Sequence, residues 1–134
     1  MNRAIHQLKD EIKYWTQRDW AMADVEAYFD WLAADYDEIN EGAHSYFRRF
    51  TDTLRIADLP DGAHFLDFQA RSGNGTAEFY KAGKVKTAVC ADVSREMGKI
   101  CLERVHEAGL QDVRWVHITD YNWPFKTGEF DITL

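Results

Sequence analysis

Three carboxylates stand at the ends of short apolar runs. Asp67 lies in Phe65-Leu66-Asp67-Phe68, Asp92 follows Thr87-Ala88-Val89-Cys90-Ala91, and Asp120 follows Val113 to Ile118. An ionised carboxylate only accepts hydrogen bonds, so such groups suit a ligand that presents hydroxyl or amine donors. Asp92 comes at the distance where nucleotide-binding sheets set a carboxylate to receive ribose hydroxyls. Asp120, followed by Tyr121, can accept from an exocyclic amine while a backbone N–H meets a ring nitrogen. Between Asp67 and the next helical pattern runs Gln69-Ala70-Arg71-Ser72-Gly73-Asn74-Gly75. A turn of that kind leaves backbone N–H groups unpaired beside the positive end of a helix. Its small residues let a ligand approach the backbone. Singly, each carboxylate reads as a solvated loop charge and the turn as an ordinary strand-to-helix connection. Together, at three consecutive strand ends facing one crevice, they favour an adenosine-like ligand.

The elements that must position these groups follow from periodicity. Ile5, Leu8, Ile12 and Trp15 recur at helical spacing and predict a first amphipathic helix. A second helix runs from about Met22 to Ile39, with Val25, Phe29, Leu32, Ala33, Tyr36 and Ile39 as its stripe, and Asn40-Glu41-Gly42 ends it. Asp30, Asp35, Asp37 and Glu38 read as its solvated face. A third helix, from about His44 to Ala57, buries Phe47, Phe50 and Leu54 before Leu59-Pro60-Asp61-Gly62 stops it.

Beyond that turn the period changes. Strands are predicted at Ala63–Phe68, Lys86–Ala91, Val113–Ile118 and Phe130–Leu134. Helices are predicted at Thr76–Ala82, with Gly83 as a left-handed cap, and after the N-cap Ser94, with Met97, Ile100, Cys101, Val105 and Ala108 inward. Alternating strands and helices imply an α/β fold with a parallel sheet and right-handed crossovers. Residues 1–60 are expected as a helical cap and residues 61–134 as a Rossmann-like unit of about four strands, one compact domain overall.

Composition bounds the rest. A chain of 134 residues, 46% hydrophobic and 14% aromatic, can build one globular core. A net charge of −7 argues against a nucleic-acid backbone as partner. No apolar run approaches membrane-spanning length, and the N-terminus carries no secretory core. Cys90 and Cys101, both in apolar patterns, read as buried reduced thiols of a cytoplasmic protein. The five histidines show no metal-ligand spacing, so no metal is expected. No Gly-x-Ser-x-Gly elbow occurs.

Over about residues 27 to 134 the sequence resembles the class I S-adenosylmethionine-dependent methyltransferases of the small-molecule type. The likeness rests on Phe65-Leu66-Asp67 through Gly73-Asn74-Gly75-Thr76, on Val89-Cys90-Ala91-Asp92-Val93-Ser94 with Met97, and on Asp120-Tyr121-Asn122-Trp123-Pro124-Phe125 leading to Gly128-Glu129-Phe130-Asp131. Tyr28-Phe29-Asp30 and Ala34-Asp35-Tyr36-Asp37 resemble the helix that often lids the cofactor. The resemblance implies S-adenosylmethionine as cofactor and a small-molecule methyl acceptor. It implies that Asp92 holds the ribose, that Val93 and Met97 flank the adenine, and that Asp120 and Tyr121 read its edge. Gln69, Ala70, Arg71 and Gly73, in the turn after Asp67, would meet the methionine moiety, and Tyr36 would close over it.

Two departures stand out. The family's turn reads Asp-x-Gly-x-Gly-x-Gly, whereas here Gln69 and Arg71 take the first two glycine positions. Either the pocket is partly filled, or those side chains join in binding, with Arg71 pairing the methionine carboxylate. The family also continues past the fourth strand. The sheet is therefore expected to be incomplete, the chain being a fragment of a longer protein or completed by a partner, with self-association through the open edge. The catalytic residue stays unassigned. Two other readings stay open: a non-catalytic relative serving as a binding or assembly module, and a nicotinamide dinucleotide-binding unit. The last is disfavoured because Glu78 stands where a third glycine or alanine is needed.

Overall fold

The computed structural model describes residue 16, residues 19–41 and residues 44–134. The helix expected around Ile5 to Trp15 lies outside the described residues.

The second predicted helix forms in three pieces: α1 over Met22–Leu32, a 3-10 turn over Ala33–Asp35, and α2 over Tyr36–Glu41. Its inward stripe is as expected, with Tyr28, Leu32, Ala33 and Tyr36 buried against Met97. Helix α3 covers His44–Ile56 and sends Phe50 into the main core.

Then come β1 (Ala63–Phe68), α4 (Asn74–Lys81), β2 (Val85–Asp92), α5 (Arg95–Glu107), β3 (Val113–His117) and β4 (Ile132–Thr133). All pairings are parallel, in the order β3-β2-β1-β4. Helices α4 and α5 are the crossovers that parallel neighbours require. Asp67 lies opposite Cys90, so Asp92, opposite His117, stands two residues farther toward the carboxyl edge of the sheet. The fourth strand is shorter than predicted, yet Leu134 N still donates to Leu66 O at 2.8 Å and Phe68 N to Leu134 O at 3.1 Å.

Successive strand residues point to opposite faces, and both faces are covered. Phe65 and Cys90 pack with Phe79, Cys101 and Val105 on one side. Leu66, Val89 and Ala91 pack with Ile118 and Phe125 on the other. Burial on both faces is why the strands read as near-continuous apolar runs. Ser94 caps α5 as expected, its hydroxyl accepting from Met97 N at 3.0 Å. Among the described residues no helix is long and apolar enough to cross a membrane.

The cap is fastened by the acids read from sequence as a solvated face, and this corrects that reading for two of them. Asp30 accepts from Ser94 Oγ at 2.5 Å and from Glu96 N at 3.2 Å. Asp37 accepts from Ser72 Oγ at 2.6 Å, from Asn74 Nδ2 at 3.0 Å and from Arg104 Nη2. Arg104 Nη1 also reaches Ser72 O at 2.8 Å. A helical wheel shows which face an acid occupies, not what folds over that face.

Candidate functional site

The residues after β1 make a turn that still has the geometry of a glycine turn. Gln69 and Arg71 both hold positive φ, 62° and 50°, and Gly73 follows at 80°. A side chain with a Cβ occupies that left-handed region at a cost of about 1–2 kcal/mol, so neighbouring contacts must hold it there. For Arg71 those contacts are clear. Its own N–H donates to Asp92 Oδ2 at 2.9 Å, and Nη1 reaches Oδ1 at 3.1 Å and Oδ2 at 3.2 Å. Its guanidinium carbon lies 3.7 Å from the Phe29 ring centre. Nη2 sits 3.4 Å from Gln69 Oε1.

Asp92 is thereby saturated. Its Oδ1 also accepts from Ser94 N at 3.0 Å, and its side chain is fully buried. Such a buried carboxylate stays stable only when paired and hydrogen-bonded.

Two cavities open beyond the carboxyl ends of the strands, where ligands of such sheets bind. The first, about 410 Å³, is lined by Tyr36, Tyr46, Arg49, Thr53, Asp67 and Ala70, among others. The second, about 270 Å³, is lined by Asp92, Val93, Ile118, Asp120, Tyr121 and Trp123, with Met22 and Val25 from the α1 side. Phe68, Gln69 and Arg71 line both. The three acids therefore do not share one crevice, as the sequence suggested. Asp92 and Asp120 face the second cavity and Asp67 the first, with the side chains of the turn between them.

Asp67 is 5% exposed and accepts from Thr76 N at 3.2 Å and Thr76 Oγ1 at 2.7 Å. Burial pushes its carboxyl up to about 6, with the two Thr76 bonds pulling the other way. Tyr36 closes one wall of the first cavity, its hydroxyl 2.8 Å from that of Tyr46. Burial, reinforced by that contact, pushes the Tyr46 phenol up, so it stays protonated at neutral pH. For Asp37, burial works upward, but the bonds from Arg104, Ser72 and Asn74 outweigh it and hold its carboxyl below the usual range.

Of the residues singled out in the sequence, Asp92, Val93, Asp120 and Tyr121 come together at the second cavity, while Tyr36, Asp67 and Ala70 come together at the first. Asp120 is exposed, and its Oδ1 accepts from Asn122 N at 2.8 Å. Tyr121 is 85% exposed. Met97 and Gly73 line neither cavity: Met97 is buried in the cap cluster, and Gly73 backs onto Cys101. Tyr46 and Arg49 were missed: their helical spacing marks them as core or surface, and only the packing of α3 over the strand ends brings them to the first cavity. Phe29 and Trp123 were named only within longer stretches; Trp123 lines the second cavity, and Phe29 lies on the Arg71 guanidinium. Among the described residues, no group of three or more His, Cys, Asp or Glu side chains is placed to hold a metal.

Comparison with known proteins agrees with this architecture. The SpnF [4+2]-cyclase superposes with a TM-score of 0.69 at 14% identity, over 84% of this chain and 48% of that one. A putative S-adenosyl-L-methionine-dependent methyltransferase of Methanococcus maripaludis gives 0.60 at 16% identity, over 88% and 51%. The YcgJ protein of Bacillus subtilis gives 0.56 at 23% identity, over 66% and 37%. At these identities the likeness is one of fold, and the chain spans between 37% and 51% of the length of these structures. None of the curated proteins compared with the chain matches it. The ubiE/COQ5 methyltransferase family, by contrast, matches residues 16–134, a span that takes in every described residue, and it is to this family that the protein belongs.

Proposed function

We propose that this chain is the cofactor-binding portion of an S-adenosylmethionine-dependent methyltransferase that acts on a small-molecule acceptor. The family implies that cofactor, and the residues at the strand ends suit it. The observation that carries the reading is Asp92: a fully buried carboxylate at the end of β2, lining one cavity with Val93, Asp120 and Tyr121. Its two oxygens match a vicinal diol once the Arg71 guanidinium yields them. The Asp120 carboxylate and the apolar walls from Val93 and Ile118 suit an aromatic amine. The first cavity, with Arg49, Thr53, Tyr36 and Tyr46, suits an amino-acid tail.

When bound, the cofactor supplies an electrophilic sulfonium methyl group. The protein's part is then binding and orientation. The Asp37 and Asp30 attachments hold the cap over the strand ends, so Tyr36 can shield the first cavity from water and Phe29 can cover the Arg71 guanidinium.

Isothermal titration calorimetry with S-adenosylhomocysteine tests the reading. Micromolar binding is expected, weakened by at least about 10-fold in Asp120→Ala, a loss of about 1.4 kcal/mol. Absence of binding would remove the proposal. A second reading, a methyltransferase-like binding or assembly module, is favoured by one observation: Arg71 already occupies both oxygens of Asp92. Absence of binding in the native chain and in a chain without the Arg71 side chain would support that alternative.

A further inference from the structure

Arg71 stands where the two cavities meet and lines both. Its side chain is 16% exposed, and its backbone sits at φ 50°, where glycine would be free of strain. Its main contacts are Asp92, through three hydrogen bonds, and Phe29, through its ring face, with a longer one from Nη2 to Gln69 Oε1 at 3.4 Å. The first cavity carries positive charge and hydroxyls. Arg49, Thr53, Tyr36 and Tyr46 line it. Its carboxylate, Asp67, is buried and turned to Thr76. Among the described residues, that leaves the cavity no exposed side-chain carboxylate for a guanidinium.

We propose that Arg71 is a specificity-determining exchange residue, which gives up Asp92 to a nucleoside diol and takes the carboxylate of the ligand's own amino-acid tail in return. The proposal rests on the cofactor reading above. A diol cannot donate to Asp92 while Arg71 Nη1 bridges both oxygens. Binding therefore displaces the guanidinium, and its departure costs a charge-assisted, largely desolvated pair. A ligand bearing a carboxylate restores a pair of the same kind, since a guanidinium fork matches a carboxylate with two parallel bonds. A ligand without one leaves the guanidinium unpaired beside Arg49. Selection thus comes from the penalty on the wrong ligand as much as from attraction to the right one. It also accounts for a side chain kept at a glycine position.

The test compares S-adenosylhomocysteine with its decarboxylated analogue, which lacks only the carboxylate, by calorimetry on the full chain. The variants are Arg71→Gly, which suits the backbone, and Arg71→Asn, a second side chain that tolerates left-handed φ. Circular dichroism melting confirms that each is folded at the assay temperature. In the native chain, S-adenosylhomocysteine is expected to bind about 30-fold or more tighter than the analogue. In both variants, the analogue should gain about 10-fold, because Asp92 is released, while S-adenosylhomocysteine changes by less than about 3-fold. The ratio between ligands is the readout, because a merely structural role for Arg71 would shift both affinities together. An unchanged ratio, with both ligands still bound, overturns this proposal and leaves the cofactor reading intact. No binding of either ligand to the native chain or the variants overturns both.

Discussion

The guanidinium of Arg71 lies 3.1 Å from Oδ1 of Asp92, and the pair is almost wholly withdrawn from water, at 16% and 0% side-chain exposure. Asp92 also accepts the main-chain N–H of Arg71, so one carboxylate fixes both the backbone and the side chain of the same residue. That double attachment holds a left-handed turn without glycine.

Breaking this pair should destabilise the fold. Loss of one partner of a buried pair costs about 3–5 kcal/mol, and glycine at the left-handed position returns about 1–2 kcal/mol. Arg71→Gly is therefore expected to lose about 1–4 kcal/mol in urea unfolding. In a double-mutant cycle with Asp92→Asn, the two losses should fall short of additivity by at least about 1 kcal/mol. Simple additivity would show that the pair contributes nothing of its own.

Asp67 should make stability depend on pH. Its folded carboxyl is raised by burial from 3.8 to about 6, so between those values the folded state binds more protons than the unfolded one. The stability that protonation contributes is complete below about pH 4 and is lost as pH rises to about 6. The size is on the order of 3 kcal/mol. Asp67→Asn should flatten the profile over that window in denaturant titrations. A native profile that rises from pH 4 to 6 and is unchanged by the substitution would contradict the assignment.

The Asp37 attachment predicts the opposite slope. Hydrogen bonds from Arg104, Ser72 and Asn74 overcome burial and hold the Asp37 carboxyl low. Its contribution is present above about pH 4 and fades as pH falls through the depressed value. Arg104→Ala should loosen the cap at neutral pH and cost about 1–3 kcal/mol. Hydrogen exchange should report it as lost protection in α2 and around Ser72 before the sheet is affected. Uniform loss across all elements would instead mean global unfolding.

Gly98 of α5 faces Trp115 of β3 with no room for a side chain between them. A Cβ there would lie 2.4 Å from Trp115 Cε2 and 2.7 Å from its Nε1. The half-buried indole stacks on His117 with ring centres 5.6 Å apart, a contact that resists its displacement. Gly98→Ala should gain helix propensity of about 1 kcal/mol and lose more to overpacking, for a net loss of about 1–2 kcal/mol. Thermal unfolding checks the sign. A rise in melting temperature would show that the helix can shift away from β3.

Much of the fold was legible in the chain because it is written locally. The apolar runs ending in Asp67 and Asp92 and the capping Ser94 are short-range signals, and β1 formed with the predicted ends, Ala63–Phe68. The change from helical to strand period near Pro60 was enough to name an alternating α/β order, and with it the side of the sheet that carries the site. Asp92 and Asp120 were legible as neighbours for the same reason: strand ends in a parallel sheet must lie together.

What the chain could not disclose depends on contacts across long separations. Asp30 and Asp37 look like solvated acids on a helical wheel, yet they bond residues 64 and 35 positions away. Phe29 reads as core spacing, yet its ring lies on the Arg71 guanidinium. Whether Arg71 turns toward a ligand or toward Asp92 was also undecided by residue type, since a guanidinium pairs with either carboxylate. Only the packing of the cap, which closes one face of the turn and leaves Asp92 within reach, selected the partner. A side chain's identity limits what it can bind, and the three-dimensional neighbourhood decides which of those partners is near enough.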